Sequence, residues 1–75
     1  MSGLQQRFGA VVRSRREERQ WSQEILADRA CLNRSYLGEV ERGRAVPSLA
    51  TMDKLAQALD VRLSVLLSRC ESGAD

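Results

Sequence analysis

SQEILADRACLNRSYLGEVERG, Ser22 to Gly43, is the stretch on which the fold turns. It predicts two short helices joined by a tight turn, one from about Gln23 to Ala30 and one from about Arg34 to Arg42. Ser22 and Asn33 stand at the N-cap positions, where a side-chain oxygen accepts an orphan amide of the first turn. Apolar residues bracket both caps. Trp21 precedes Ser22 with Leu26 five residues on, and Leu32 precedes Asn33 with Leu37 five residues on. That is the spacing of a hydrophobic staple, present twice. Gly43 ends the second helix, where a left-handed residue is wanted.

In the second helix Leu37 and Val40 are three apart and share a buried stripe. Arg34, Ser35, Gly38 and Arg42 lie away from it. The outer face therefore offers a forked cation, a hydroxyl and bare backbone. An α-helix fits the major groove of DNA, and Arg bonds both acceptors of a guanine edge there. A solvated polar face is the other reading of any single amphipathic helix. The caps, staples and turn together fall where a helix-turn-helix requires them.

At 75 residues the chain suits one small domain, residues 1–75, with one core. Phe8, Trp21 and Tyr36 are its only aromatics. Aliphatic residues must fill the interior, and a single Pro with few β-branched runs argues for packed helices over sheet. The net charge is only +2, but residues 1–44 carry nine Arg against six acids, and residues 45–75 three bases against four acids. The basic surplus thus lies with the helix pair. It consists of Arg, whose planar fork suits phosphate and guanine.

The N-terminus lacks the apolar region of a signal peptide, and no apolar run reaches the ~20 residues of a membrane span. A cytoplasmic location is expected. Cys31 and Cys70 are then expected as reduced thiols, Cys31 as a small buried one. Without His they make no zinc site of usual spacing. No base stands beside either thiol and no Gly-rich phosphate loop occurs, which excludes the common enzyme classes. No cofactor, metal or small-molecule ligand is expected.

Working outward, Met1 to Gly3 are expected to be loose. A first helix runs from about Leu4 to Arg19, with Leu4, Phe8, Val11 and Val12 as its apolar stripe and the charged run Arg13–Arg19 behind it. Gln23 opens the first helix of the pair, where helix-start amides favour a phosphate. Arg42 and Arg44 flank Gly43 and are candidates for clamping another. Ser48 caps a helix from about Leu49 to Leu59, with a stripe of Leu49, Met52, Leu55, Ala56 and Leu59. A last helix over about 62–70 holds Leu63, Val65, Leu66 and Leu67 and is apolar nearly all round. One side must cover the core and the other wants a partner, so these four residues form the expected dimer interface. Glu71 to Asp75 are expected to be a disordered polar tail.

Trp21-Ser22-Gln23-Glu24, Leu26-Ala27, Leu32 to Leu37, Val40 to Gly43, Pro47-Ser48-Leu49, Leu55 to Leu59 and Leu66-Leu67 together resemble the lambda-repressor-like, Xre-type helix-turn-helix family. The resemblance covers about Phe8 to Leu67, and Arg34-Ser35-Tyr36 is most similar to its restriction–modification controller proteins. It implies an all-α, five-helix domain whose second and third helices, about 22–43, read DNA. It implies base contacts from Arg34, Ser35, Gly38 and Glu39, and backbone contacts from Gln23, Tyr36, Arg42, Arg44, Ser22 and Asn33. It also implies an ion pair between Arg16 and Glu41. Gln20, Cys31 and Asp60 stand where the family usually has Gly, at positions that favour φ > 0. The expected function is a sequence-specific transcription regulator, acting as a homodimer on palindromic double-stranded DNA. The alternative is an antitoxin-type protein-interaction module that also binds DNA.

Overall fold

The computed structural model describes residues 3–72, which form five α-helices. They are α1 (Leu4–Glu18), α2 (Gln23–Arg29), α3 (Arg34–Glu41), α4 (Leu49–Ala58) and α5 (Leu63–Ser72). The all-α, five-helix expectation holds. Helix α1 lies against α3 and α5, α2 against α3 and α4, and α4 against α5. One core results, in which Phe8, Val12, Leu26, Leu37, Val40, Leu55, Leu59, Leu66 and Cys70 are buried.

Side chains near the helix starts act as expected. Ser22 Oγ accepts from Ile25 N at 3.1 Å, Asn33 Oδ1 from Ser35 N at 2.8 Å and Tyr36 N at 3.2 Å, and Ser48 Oγ from Thr51 N at 3.1 Å. Each bond removes one of the orphan donors of a first turn. Gly3 departs from the expectation of looseness. It is the N-cap of α1, and its amide donates to Gln6 Oε1. Met1 and Ser2 lie outside the described residues.

The first four helices stop in the same way. The residue two beyond the cap donates back into the last turn: Trp21 to the Arg16 carbonyl, Leu32 to Ala27, Arg44 to Glu39 and Val61 to Ala56. The residue between is left-handed, with φ of 59° at Gln20, 57° at Cys31, 75° at Gly43 and 57° at Asp60. These are Schellman stops. Only one of the four uses glycine. A side chain at φ > 0 costs about 1–2 kcal/mol. Two backbone bonds per stop offset that cost, and at three of the stops an apolar Trp21, Leu32 or Val61 packs back on the core.

Several expectations at the periphery fail. Leu4 and Leu49 are 54% and 67% exposed, because each sits at the first residue of its helix, beyond the reach of the core. Cys31 is exposed, since a left-handed residue at a helix end projects into solvent. Helix α5 continues through Glu71 to Ser72, past the expected end of the helix, and Arg7 Nε donates to the Cys70 carbonyl at 2.9 Å. That bond ties the last turn of α5 to α1. Residues 73–75 of the expected tail lie outside the described residues.

Gly9 sets how closely α1 and α3 approach. A Cβ there would stand 2.2 Å from the Val40 carbonyl oxygen and 2.7 Å from that of Glu41. Both are backbone atoms and cannot rotate away. Gly9→Ala is expected to lower stability by about 1–3 kcal/mol through overpacking. It would be read as a lower urea midpoint with unchanged slope. A midpoint at or above the wild-type value would contradict the contact.

Candidate nucleic-acid interface

The Glu41 carboxylate, at the C-terminal end of α3, joins three helices. Arg16 of α1 donates through Nε to Oε2 at 2.8 Å and through Nη2 to Oε1 at 2.9 Å. Gln23, the first residue of α2, donates through Nε2 to the same Oε1 at 3.0 Å. The remaining Arg16 arm, Nη1, donates to the Trp21 carbonyl at 2.8 Å, in the loop before α2. Glu41 and Arg16 side chains are only 2% and 11% exposed. The fork-on-fork geometry is the strong form of an Arg–carboxylate bond. It holds the Arg16 guanidinium above its ordinary range, chiefly through the hydrogen bonds to Glu41. Gln23 is therefore not the free amide expected from the sequence. One of its N–H groups is committed to Glu41.

On the outer face of α3, Arg34 and Ser35 are exposed, and so is Arg44 in the loop beyond. The Arg34 and Arg44 side chains make no hydrogen bond or ion pair among the described residues. Tyr36 is half-buried against the core. The caps Ser22 and Asn33 are exposed, with their oxygens already accepting from helix amides. Glu39 is half-buried and pairs with Arg42, whose Nη2 donates to Oε2. Gly38 departs from expectation. Its bare side is covered, with Arg42 Nη2 and Gln23 Oε1 at 3.3 and 3.6 Å from where a Cβ would be. A base edge reaches Gly38 only if Arg42 moves. Beside it, Arg13, Arg16, Gln23, Glu41 and Arg42 line a polar recess of about 270 Å³.

The expected dimer residues do not share one face. Leu66 is 0% exposed and belongs to the core of its own chain, so it has no surface to give a partner. Leu63 and Leu67 are half-buried, whereas Val65 is exposed. Val65 and Leu67 point about 200° apart around the helix. Val65 keeps company with Ser64, Ser68 and Arg69, and Leu67 lines an apolar groove with Leu4, Phe8, Val46, Pro47 and Met52.

Two capped helices, a left-handed turn and an exposed Arg-tipped second helix match the helix-turn-helix family profile over residues 12–66. The chain belongs to that family. This is the Xre/Cro–C1-like branch that the motifs resemble. The immunity repressor of Bacillus phage phi105 is 41% identical over 59 residues, 79% of this chain and 41% of the repressor. The chain thus spans about two fifths of that relative's length. The control protein C.MunI of a Mycoplasma species is 33% identical over 95% of this chain and 97% of its own. The crystal structure of the restriction–modification controller protein C.AhdI from Aeromonas hydrophila superposes with a TM-score of 0.79. It is 44% identical and covers 81% of this chain and 92% of that one.

This helix-turn-helix domain also uses residues that the sequence reading passed over. Most of the charged run Arg13–Arg19 is exposed, with Arg13 and Glu17 paired at 3.1 Å, and only Arg15 and Arg16 are half-buried. Arg16, which the resemblance already pairs with Glu41, extends the buried stripe of Phe8 and Val12; Arg19 follows it at a spacing of three and stays exposed while reaching α4. That spacing was the available signal. Arg19 donates to the Leu59 carbonyl at the end of α4. It also lies 5.2 Å from the Trp21 ring centre, and Arg29 lies 4.6 Å from it. These contacts fix the ring that starts α2.

Glu41→Gln would leave Arg16 buried without a counter-charge. A loss of about 3 kcal/mol is expected, a large share of the roughly 4–11 kcal/mol such a domain has. Restoring an apolar pair with Arg16→Met and Glu41→Leu should recover most of it in chemical unfolding. If Glu41→Gln unfolds at the wild-type midpoint, the ion pair does not hold these helices.

Proposed function

We propose that this chain is a sequence-specific transcription regulator that binds double-stranded DNA as a homodimer on a palindromic operator. The observation that supports the reading is the outer face of α3, where Arg34 and Ser35 stand exposed at the helix start and the Arg34 side chain has no partner among the described residues. The N-terminal residues of a recognition helix are those that reach base edges in a helix-turn-helix complex. Arg34 is assigned to a guanine edge, Ser35 and Glu39 to neighbouring base edges, and Tyr36, Arg44 and the free N–H of Gln23 to the backbone. Phosphate contacts fix register, and base contacts carry the sequence information.

One such domain covers few base pairs. Two related by a two-fold axis place their recognition helices about one DNA turn, ~34 Å, apart. Helix α5 offers a second copy the exposed face of Val65 with Ser64, Ser68 and Arg69; Leu63 and Leu67 lie on other sides of the helix and Leu66 takes no part. A cytoplasmic setting fits this role, and no helix among the described residues is long and apolar enough to cross a membrane.

Arg34→Ala should weaken binding to the selected site by ~1–3 kcal/mol and relax specificity at one base pair. Fluorescence titration on selected and random duplexes checks this. An equal loss on both would remove Arg34 from base reading. Val65→Glu should give monomers in sedimentation, with operator binding weakened at least about tenfold, because a buried carboxylate without a partner is costly. A dimeric variant would exclude this face.

A further inference from the structure

Glu39 is the one open carboxylate of α3, since Glu41 is consumed inside the fold. It stands on the side turned toward DNA in the reading above, on which this inference rests. A carboxylate near a polyanion is unfavourable, and it requires a reason. Arg42 Nη2 donates to Glu39 Oε2, and both side chains stay about half open, 53% and 41%. An exposed pair of this kind contributes little to stability. Its placement is informative instead. Because Gly38 has no side chain, the Arg42 guanidinium lies back over it, with Nη2 and Nη1 at 3.3 and 3.6 Å from the empty Cβ position. An added Cβ would push the nearer nitrogen back by a few tenths of an ångström, so the bare backbone lets Arg42 fold closely onto Glu39 while it stays half open to solvent. Its hydrogen bond, with the field of Arg44 added, holds the Glu39 carboxyl below the usual carboxylate range.

We propose that Glu39 and Arg42 form a specificity latch. While Glu39 holds Arg42, one arm of the guanidinium is engaged and its charge is compensated, which weakens its pull on a phosphate. On random DNA, freeing Arg42 would leave Glu39 facing the backbone unpaired, so the pair stays closed. On a site that offers a base amine, cytosine N4 or adenine N6, Glu39 accepts from the base. Arg42 then turns to a phosphate, and Gly38 is uncovered to the groove. The right base thus switches on a backbone contact that every other sequence leaves off.

The test is salt-dependent binding of E39Q, R42Q and the double variant to random duplex and to the duplex selected by the wild-type protein. E39Q should bind random DNA roughly tenfold more tightly, with the salt slope steeper by about one unit per protomer. It should lose the preference for cytosine or adenine at one position of each half-site. R42Q alone should weaken random binding by about threefold, because it leaves Glu39 unpaired beside the backbone. In the E39Q background it should return random binding to the wild-type level. Unchanged random binding by E39Q, an equal gain on both duplexes, or a gain that survives R42Q would each overturn the latch. If the wild-type protein selects its site and E39Q behaves like it, this inference alone fails. If the wild-type protein binds no duplex, the proposed function fails with it.

Discussion

The Glu41 carboxylate is the point through which the DNA-facing surface is built. It accepts two hydrogen bonds from Arg16 and one from Gln23, while the third arm of Arg16 holds the Trp21 carbonyl. Four segments are thereby fixed in one frame: α1, the loop before α2, the first turn of α2 and, much further along the chain, the last turn of α3. A buried ion pair adds little net stability compared with an apolar pair of the same shape. Its contribution is geometric. The fork of Arg16 tolerates little rotation, so α2 and α3 keep one relative orientation. The contact of Gly9 with the Val40 and Glu41 carbonyls brings α1 close enough for the pair to form.

The helix stops serve the same end. The angle between α2 and α3 depends on four residues, 30–33, of which Cys31 is left-handed. Three of the four stops carry a side chain at that conformation. The fold accepts the strain because the residue after each stop, Trp21, Leu32 or Val61, packs against the core and its amide closes the helix. Packing of the following residue thus does what glycine's freedom does at Gly43.

Much of this was legible in the sequence, for local reasons. Caps at Ser22, Asn33 and Ser48, the staples and the left-handed stops depend on residues within six positions of one another. Spacing carries the caps, the staples and the stop at Gly43; the left-handed positions at Gln20, Cys31 and Asp60 rest on the resemblance to a family that usually has Gly there. The resemblance implied Arg16 opposite Glu41, a pair 25 residues apart that periodicity could not supply. What stayed hidden depended on tertiary crossing. Gly9 reads as a helix-weakening residue until α3 is placed beside it. Arg19 reads as surface charge until the end of α4 is placed under it. Leu66 reads like Leu63 and Leu67, because a helix apolar all round does not say which side faces inward. At the site, sequence assigned Gln23, Gly38, Glu39 and Arg42 one by one. In the fold they touch each other, so their availability to DNA is coupled rather than separate.

Function follows from that coupling. A rigid frame presents Arg34 and Ser35 outward, and in the proposed function the cations around it form the phosphate-binding border. The direct measurement of the whole account is selection of bound duplexes from random DNA by the wild-type protein at fixed, stated salt. The account predicts an enriched motif of two inverted half-sites, with centres about one DNA turn apart and a guanine fixed in each half. A pool that stays random, or one that yields a single site without two-fold symmetry, would contradict it.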